Sequence, residues 1–165
     1  MEGHATIAGS RAIAPPFGGV LLPVMTADMQ TVRTLAQLAE LTSSGEAPYL
    51  RYSPGPESDA EHSSTDHESG LTMPGVSANP LAAPKWWTLP LEDWLARRVC
   101  QYLRELDEGA RPWVLSGRQV DFGPDNEPLL VDIQPVAWVA PELVEEARER
   151  YTTRLRAGAA THRDR

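Results

Sequence analysis

Two acidic side chains, Asp125 and Glu127, are spaced so that they could act as a catalytic carboxylate pair. One residue separates them, and an extended backbone would place both on the same side of the chain. The alternative is that Asp125 and Asn126 stabilise a turn and that Glu127 is solvated. Turn chemistry accounts for most of the segment GPDNEP, because its Gly, Pro, Asp and Asn all favour turns. A structural role in the turn is therefore favoured, and Asp125 and Glu127 stay candidates for a catalytic pair.

A single arginine, Arg51, interrupts an apolar segment between Leu50 and Tyr52. It must either point to solvent from a strand with one buried face or place its planar guanidinium against a carboxylate or a ligand anion. Solvent exposure is the favoured interpretation. The second interpretation would make Arg51 a ligand-binding residue.

Two histidines, His62 and His67, lie beside Asp66 and Glu68 in an acidic segment. Such residues can bind a metal, but this spacing matches no rigid set of metal ligands. We therefore expect no metal site and no cofactor.

Neither Ser77 nor Cys100 has the surroundings of a nucleophile. Ser77 lacks the second glycine of a nucleophile elbow, and the predicted core elements contain no histidine that could act as its base. Cys100 lies beside the apolar stripe of a predicted helix, which indicates a small core residue. Hydrolysis by serine or cysteine is disfavoured, and the chain has no glycine-rich phosphate-binding motif.

Four of the five tryptophans fall close together, at Trp86, Trp87, Trp94 and Trp113. Trp94 and Trp113 are predicted to be core residues. Trp86 and Trp87 are adjacent, so both cannot face inward from an extended chain. We expect one of them to be partly exposed and to contribute to a binding surface.

The elements that must position these residues are readable from hydrophobic periodicity. Alternation on both sides of a six-residue turn predicts a β-hairpin over Pro112–Val139, with a bend at Pro135. A strand is predicted at Pro48–Ser53, and an extended edge segment at Gly70–Pro80. Helices are predicted from an N-cap at Asp28 through Val32 and Leu41, from Pro90 to Leu106, and from Pro141 to Leu155. Leu21–Met25 could add a short edge strand.

This order of elements indicates an α+β fold, a single domain with a mixed or mostly antiparallel sheet and about three helices packed on it. We expect the domain to span residues 21–157. Residues 1–20 and 158–165 are predicted to be a disordered leader and tail. The stretch 57–69 carries five acids, and we expect a mobile acidic loop that does not pack.

Composition limits the classes of partner. A net charge of −8 argues against nucleic acid and against an anionic membrane surface. Proline and glycine interrupt the apolar stretch Ala12–Met25, so neither a signal peptide nor a membrane helix is predicted. The single cysteine, Cys100, fits a reducing compartment. We expect a cytoplasmic protein whose partner is a protein or a small molecule.

Four segments together resemble a family of small bacterial proteins of unknown function. They are YLRYSPGPE, HESGLTMPGVSANPL, KWWTLPLEDWLARRVCQY and PWVLSGRQVDFGPDNEPLL. The resemblance covers roughly Tyr49–Val139, and it implies no activity.

A looser resemblance is to the arginine-serine-glutamate class of mono-ADP-ribosyltransferases. It implies that Arg51 holds the nicotinamide ribose or phosphates of NAD, that Ser77 supports the ribose, and that Glu127 stabilises an oxocarbenium-like state. The chain departs from that class: Val76-Ser77-Ala78 is not serine-threonine-serine, Asp125 replaces a glutamate or glutamine, and no aromatic clamp is identifiable.

Two hypotheses about function follow. The leading one is a non-catalytic binding or interaction module that uses Trp86, Trp87 and the hairpin loop. The alternative is an NAD-dependent transferase similar to the mono-ADP-ribosyltransferases, with Arg51, Ser77, Asp125 and Glu127 in its site. The discriminating feature is whether Arg51, Ser77 and Glu127 meet in one cleft.

Overall fold

The β-hairpin is the centre of a sheet in the computed structural model of the protein, which describes residues 29–44 and 47–156. The strands are β1 (Gln30–Val32), β2 (Tyr49–Ser53), β3 (Val76–Ser77), β4 (Asn79–Pro80), β5 (Arg111–Phe122) and β6 (Pro128–Val139). The helices are α1 (Leu35–Ser43), α2 (Pro56–Glu61), α3 (Leu91–Cys100) and α4 (Pro141–Arg150), with a 3-10 helix at Leu103–Glu108 and a π-helix at Tyr151–Arg156. These elements form one small α+β domain, and the predicted fold class is confirmed.

The sheet is open and mostly antiparallel. Its order is β1-β6-β5-β2-β4, and β3 pairs with β6. All pairs are antiparallel except β1 with β6. The predicted hairpin is confirmed as β5 and β6, and the predicted strand Pro48–Ser53 is β2. The extended segment Gly70–Pro80 contributes the short strands β3 and β4, of which β4 is at an edge.

The hairpin is irregular where its second half leaves the body of the sheet. The register between β5 and β6 shifts at three places, and Asp132 has a positive φ of 52°. One shift lies next to the pair Leu115 and Pro135, where a bend was expected. Val120 and Phe122, near the tip, are exposed. Such bulges bend a hairpin and increase its twist.

Helix α1 starts later than predicted. Thr34 is its N-cap and accepts a hydrogen bond from the backbone N–H of Gln37 at 3.2 Å. Val32, expected on the helix, instead ends β1, where its carbonyl accepts a hydrogen bond from Ala140 at 2.9 Å. The predicted N-cap Asp28 lies outside the described residues. So do the predicted leader, the possible strand Leu21–Met25 and the tail at 158–165.

The first part of the acidic stretch 57–69 packs against the sheet, which the sequence did not predict, whereas most of its other residues are exposed. It contains most of helix α2, in which Asp59 is buried. After α2 the chain forms a small hairpin-like arm, with a bridge between Thr65 and Thr72. We call Ser64–Met73 the acidic arm. Hydrogen bonds between its backbone groups join Met73 to Ser64 and Asp66 to Leu71.

Helices α1, α3 and α4 bury apolar faces together in one core. Leu35, Leu95 and Leu143, one from each helix, have no exposed surface. Trp94 and Trp113 are buried, which confirms their prediction as core residues. Among the described residues no helix is both long enough and apolar enough to cross a membrane.

The predicted helix from Pro90 to Leu106 is divided. Helix α3 ends at Cys100, and the 3-10 helix continues the chain to its C-cap Gly109, which has a φ of 83°. The last predicted helix is α4, continued by the π-helix.

A buried carboxylate holds the end of the described chain against α3. Asp93 is 1% exposed and accepts hydrogen bonds from Arg150 Nε at 2.5 Å and Arg154 Nε at 3.1 Å. Both arginines are partly open to solvent. Two cations therefore compensate one buried charge.

Replacing this carboxylate should destabilise the fold. We expect Asp93→Asn to lower the free energy of unfolding by about 2 kcal/mol, because it weakens two charge-assisted hydrogen bonds. Urea denaturation followed by circular dichroism measures the change. The control is Glu145→Gln, since Glu145 forms an exposed pair with Arg148 at 3.6 Å; it should cost less than about 0.5 kcal/mol. Equal losses in both variants would contradict the assignment.

Candidate functional site

A cleft of about 470 Å³ lies where the acidic arm, the hairpin loop and the 3-10 helix meet over β2. Its lining residues are Arg51, Tyr52, Thr65, Asp66, His67, Glu68, Met73, Ser77, Asn79, Tyr102, Arg104, Glu105, Pro124, Asp125 and Glu127. Clefts of this volume hold small ligands or single side chains of a partner. We refer to it as the cleft.

The guanidinium of Arg51 is paired with a buried carboxylate at the base of the cleft. Its Nε and Nη2 donate to the two oxygens of Asp59, both at 2.8 Å. The side chains are 16% and 5% exposed. The favoured expectation that Arg51 points to solvent is therefore wrong, and the alternative, a carboxylate partner, is correct.

The same carboxylate is tied to the sheet beneath it. Ser53 donates its hydroxyl to Asp59, and the Ser53 oxygen accepts from Trp113 Nε1 at 2.9 Å and from the Gly55 backbone N–H at 3.2 Å. Asp59 therefore receives three hydrogen bonds, two from Arg51 and one from Ser53. This satisfies a charge that would otherwise be costly to bury.

Ser77 lies directly beside Arg51. Arg51 Nη1 donates to the carbonyl oxygen of Ser77 at 2.6 Å and lies 3.2 Å from its hydroxyl oxygen. The Ser77 N–H donates to the Ser64 hydroxyl at 2.9 Å, and the two hydroxyls are 3.2 Å apart. These contacts fasten the base of the acidic arm to β3.

The hairpin loop brings Asp125 and Glu127 to the other side of the cleft. Glu127 Oε2 accepts a hydrogen bond from the backbone N–H of Asp125 at 2.9 Å, and Asn126 between them has a positive φ of 61°. Glu127 thus stabilises the turn, a role that had been expected for Asp125 and Asn126 alone. Arg51, Ser77, Asp125 and Glu127 line one cleft, so the candidate residues converge.

Three lining residues that could bind a ligand were not identified from the sequence. Tyr102, Arg104 and Glu105 come from the 3-10 helix and its start. His67, considered above only as a metal ligand, also lines the cleft, from the acidic arm. Burial raises the pKa of Glu105 above its ordinary value. The Tyr102 hydroxyl donates to Asn79 Oδ1 at 3.1 Å. No motif marked Tyr102, Arg104 and Glu105, because it is the turn of the chain after α3 that brings them to the cleft.

The cleft has a marked excess of negative charge. Among the described residues, five carboxylates line it, from Asp66, Glu68, Glu105, Asp125 and Glu127, against the arginines Arg51 and Arg104 and one histidine. The charge of Arg51 is already balanced by Asp59. Hydrogen bonds from Ser69 and from the Glu68 backbone lower the pKa of Asp66, so this carboxylate stays ionised near neutral pH.

The tryptophan pair lies apart from the cleft lining. Trp86 is 68% exposed, whereas Trp87 is half-buried and packs against the main core. The expectation that one of the two is exposed is confirmed. Neither residue lines the cleft, so the hairpin loop and the tryptophans contribute to two different surfaces.

His62 and Cys100, the remaining candidates, have surroundings that do not favour metal binding or nucleophilic chemistry. The ring nitrogen Nδ1 of His62 lies 3.1 Å from the carbonyl oxygen of Ser58. Within the described ranges, no cluster of three potential metal ligands occurs. Cys100 is half-buried against the core, and burial raises the pKa of its thiol to about 11, which disfavours the reactive thiolate.

Removing the buried carboxylate should damage the base of the cleft. We expect Asp59→Asn to lower the free energy of unfolding by about 3 kcal/mol, because it leaves the guanidinium of Arg51 buried without an opposite charge. Urea denaturation gives the value. The control Asp132→Asn alters an exposed pair with Arg118 and should cost less than about 1 kcal/mol. The double variant Arg51→Met with Asp59→Leu should be less harmful than Asp59→Asn, and the opposite order would refute a charge-based cause.

Comparison with known proteins identifies a family without assigning an activity. No curated protein and no solved structure matches the chain. The model of a family of unknown function, DUF6098, matches residues 25–163. The cleft and its carboxylates lie inside this range. The chain therefore belongs to that family of unknown function.

Proposed function

We propose that the protein is a non-catalytic binding module whose cleft takes a small positively charged group, an ammonium or a guanidinium. The observation that carries the proposal is the charge of the cleft: five carboxylates surround a space of about 470 Å³ in which Arg51 is already paired. Carboxylates at the wall of a concave site attract cations and accept their hydrogen bonds.

The hydrogen bonds that Arg51 already makes favour a cationic ligand over an anionic one. Its guanidinium makes four hydrogen bonds, two to Asp59 and two to Ser77, and this leaves little donor capacity for a ligand. Arg104 is exposed and is the other arginine of the cleft. An anionic ligand would have to approach five carboxylates to reach either one.

The surroundings of Ser77 support binding without catalysis. Its hydroxyl contacts Arg51 and Ser64, and neither side chain acts as a general base near neutral pH. A serine nucleophile needs a base within hydrogen-bond distance. In this arrangement Ser77 positions the acidic arm.

The NAD-dependent transferase remains the second candidate, because Arg51, Ser77 and Glu127 line the same cleft. Two observations weigh against it. The donors of Arg51 that would hold phosphate are engaged by Asp59 and Ser77, and the pyrophosphate of NAD would enter a site with excess negative charge.

Agmatine, which carries one guanidinium and one ammonium group, is a suitable probe of the cleft. In 1H–15N NMR titrations at low salt we expect saturable shifts of the amides of Tyr102, Glu105 and Glu127. The variants Glu105→Gln and Glu127→Gln should each raise Kd by about two- to fivefold, since an exposed ion pair contributes about 0.2–1 kcal/mol. Glu149→Gln, an exposed change on α4 outside the cleft, should leave Kd unchanged.

The pH dependence of agmatine binding distinguishes binding in the cleft from general attraction to the acidic surface of the protein. Because the pKa of Glu105 is raised, its carboxylate becomes protonated at a higher pH than an ordinary glutamate. Agmatine should therefore bind more weakly as the pH falls from 7 to 5, and the fall should be smaller in Glu105→Gln. Shifts spread over the whole acidic surface, or none at tens of millimolar agmatine, would refute the proposal.

A calorimetric titration with NAD tests the second candidate. The excess of carboxylates should leave the titration flat at millimolar NAD, and Asp59→Asn, which frees donors of Arg51, should not create tight binding. Saturable NAD binding that is lost in Arg51→Met, in a variant shown by circular dichroism to be folded, would instead favour the transferase.

A further inference from the structure

A second surface is built from the turn before α3 and from residues along that helix. We call Lys85, Trp86, Trp87, Leu89, Trp94 and Arg98 the tryptophan surface. Trp86 is 68% exposed and Leu89 is 49% exposed. Exposed apolar side chains of this size, grouped together, are typical of interaction sites.

The three indole rings support one another. The centroids of Trp86 and Trp94 are 6.3 Å apart, and those of Trp87 and Trp94 are 5.2 Å apart, in edge-to-face arrangements. Trp87 is fixed by a hydrogen bond from its Nε1 to the carbonyl of Pro90 at 3.2 Å. The exposed ring of Trp86 therefore rests on a rigid base, which lowers the entropic cost of binding.

Arg98 adds a charge that has no carboxylate partner in the described part of the chain. Its guanidinium carbon lies 4.3 Å from the centroid of the Trp94 ring, and its Nη1 donates to Gln101 Oε1 at 2.9 Å. None of the ion pairs among the described residues includes Arg98. Burial lowers the pKa of Arg98, the direction that loss of water without a compensating anion produces.

Two buried donors at this surface also lack a partner. They are Trp94 Nε1 and Arg98 Nε, and no other buried side-chain nitrogen or oxygen in residues 29–44 and 47–156 is unpaired. Trp94 as a whole is only 5% exposed. An unpaired buried donor costs free energy unless an acceptor is supplied. The two donors belong to neighbouring side chains, because the guanidinium of Arg98 lies over the Trp94 ring, and Trp94 contacts the exposed ring of Trp86.

The surroundings are basic in an otherwise acidic chain. Lys85, the only lysine of the sequence, precedes Trp86 and is exposed, and Arg97 on α3 is exposed as well. An acidic partner would meet favourable charge here and repulsion over most of the remaining surface, since the net charge is −8.

We propose that the tryptophan surface binds an acidic, apolar segment of a partner protein, which packs an aliphatic or aromatic side chain on Trp86 and supplies a carboxylate to Arg98. The carboxylate gives the guanidinium the counter-ion that the described chain does not provide. Nucleic acid would offer stacking bases and phosphates as well, but its high charge density is repelled by a protein of net charge −8.

The test uses a short designed peptide and the indole signals of the full chain. The probe is an acetylated hexapeptide of alternating aspartate and leucine, added at millimolar concentration in 1H–15N NMR experiments that resolve the five tryptophans. We expect saturable shifts of the indole signals of Trp86 and Trp94, while that of the buried Trp113 stays in place. The variants Trp86→Ser and Arg98→Gln should each weaken binding by about tenfold.

Control variants separate charge from packing. Arg98→Lys should retain more affinity than Arg98→Gln, because it keeps the charge and loses the planar guanidinium. Glu105→Gln alters the cleft and should leave peptide binding unchanged, so failure at this surface is distinguishable from failure of the proposed cleft function. Thermal unfolding of each variant shows that the fold persists.

Several outcomes would overturn the proposal. Equal binding of an alternating lysine-leucine peptide would show that charge does not select the partner. Tighter binding of a ten-nucleotide thymidine strand would indicate nucleic acid instead. Dimerisation in sedimentation experiments that is abolished by Trp86→Ser would show that a second copy covers the surface. An absence of indole shifts at millimolar peptide would also refute it.

Discussion

The bidentate ion pair between Arg51 and Asp59 is the contact on which the cleft depends. A single guanidinium joins β2 to α2 through Asp59 and to β3 through Ser77. It therefore fixes both ends of the chain segment that contains the acidic arm. A buried pair contributes little net stability over a well-packed apolar pair, so its main effect is on position: it places the arm opposite the hairpin loop.

The sequence predicted the elements with strong periodicity and missed the contacts that join them. Alternation and turn residues were sufficient for the hairpin, and Tyr49–Ser53 was recognisable as a strand. The sequence did not identify Asp59 as the partner of Arg51, because Asp59 is one of five acids in a stretch whose composition resembles an exposed loop. Burial of one acid depends on the turn at Gly55, which bends α2 back onto β2. The three-residue strand β1 was hidden as well, since its pairing with β6 is parallel and distant in sequence.

The two candidate surfaces are connected by side chains. Arg98 donates to Gln101 at 2.9 Å, Gln101 donates to the Tyr102 hydroxyl at 3.0 Å, and Tyr102 donates to Asn79 at 3.1 Å. Arg98 belongs to the tryptophan surface, and Tyr102 and Asn79 line the cleft. A carboxylate that draws Arg98 away from Gln101 would alter the donor that holds the Tyr102 hydroxyl. Binding at one surface thus has a short physical route to the other.

Both surfaces also carry a charge whose burial opposes folding. Burial removes water from Glu105 in the cleft, and Arg98 loses water against Trp94 with no carboxylate partner among residues 29–44 and 47–156. Neither charge is expected at its position on grounds of folding stability alone, and such residues are typical of functional sites. Glu105 is negative and lines the cleft, whereas Arg98 is positive and belongs to the tryptophan surface, so the two side chains need counter-ions of opposite sign. A cation that binds the cleft and an anion that binds the tryptophan surface would each stabilise the folded state by mass action, and each would reduce a desolvation cost that the described part of the chain does not offset.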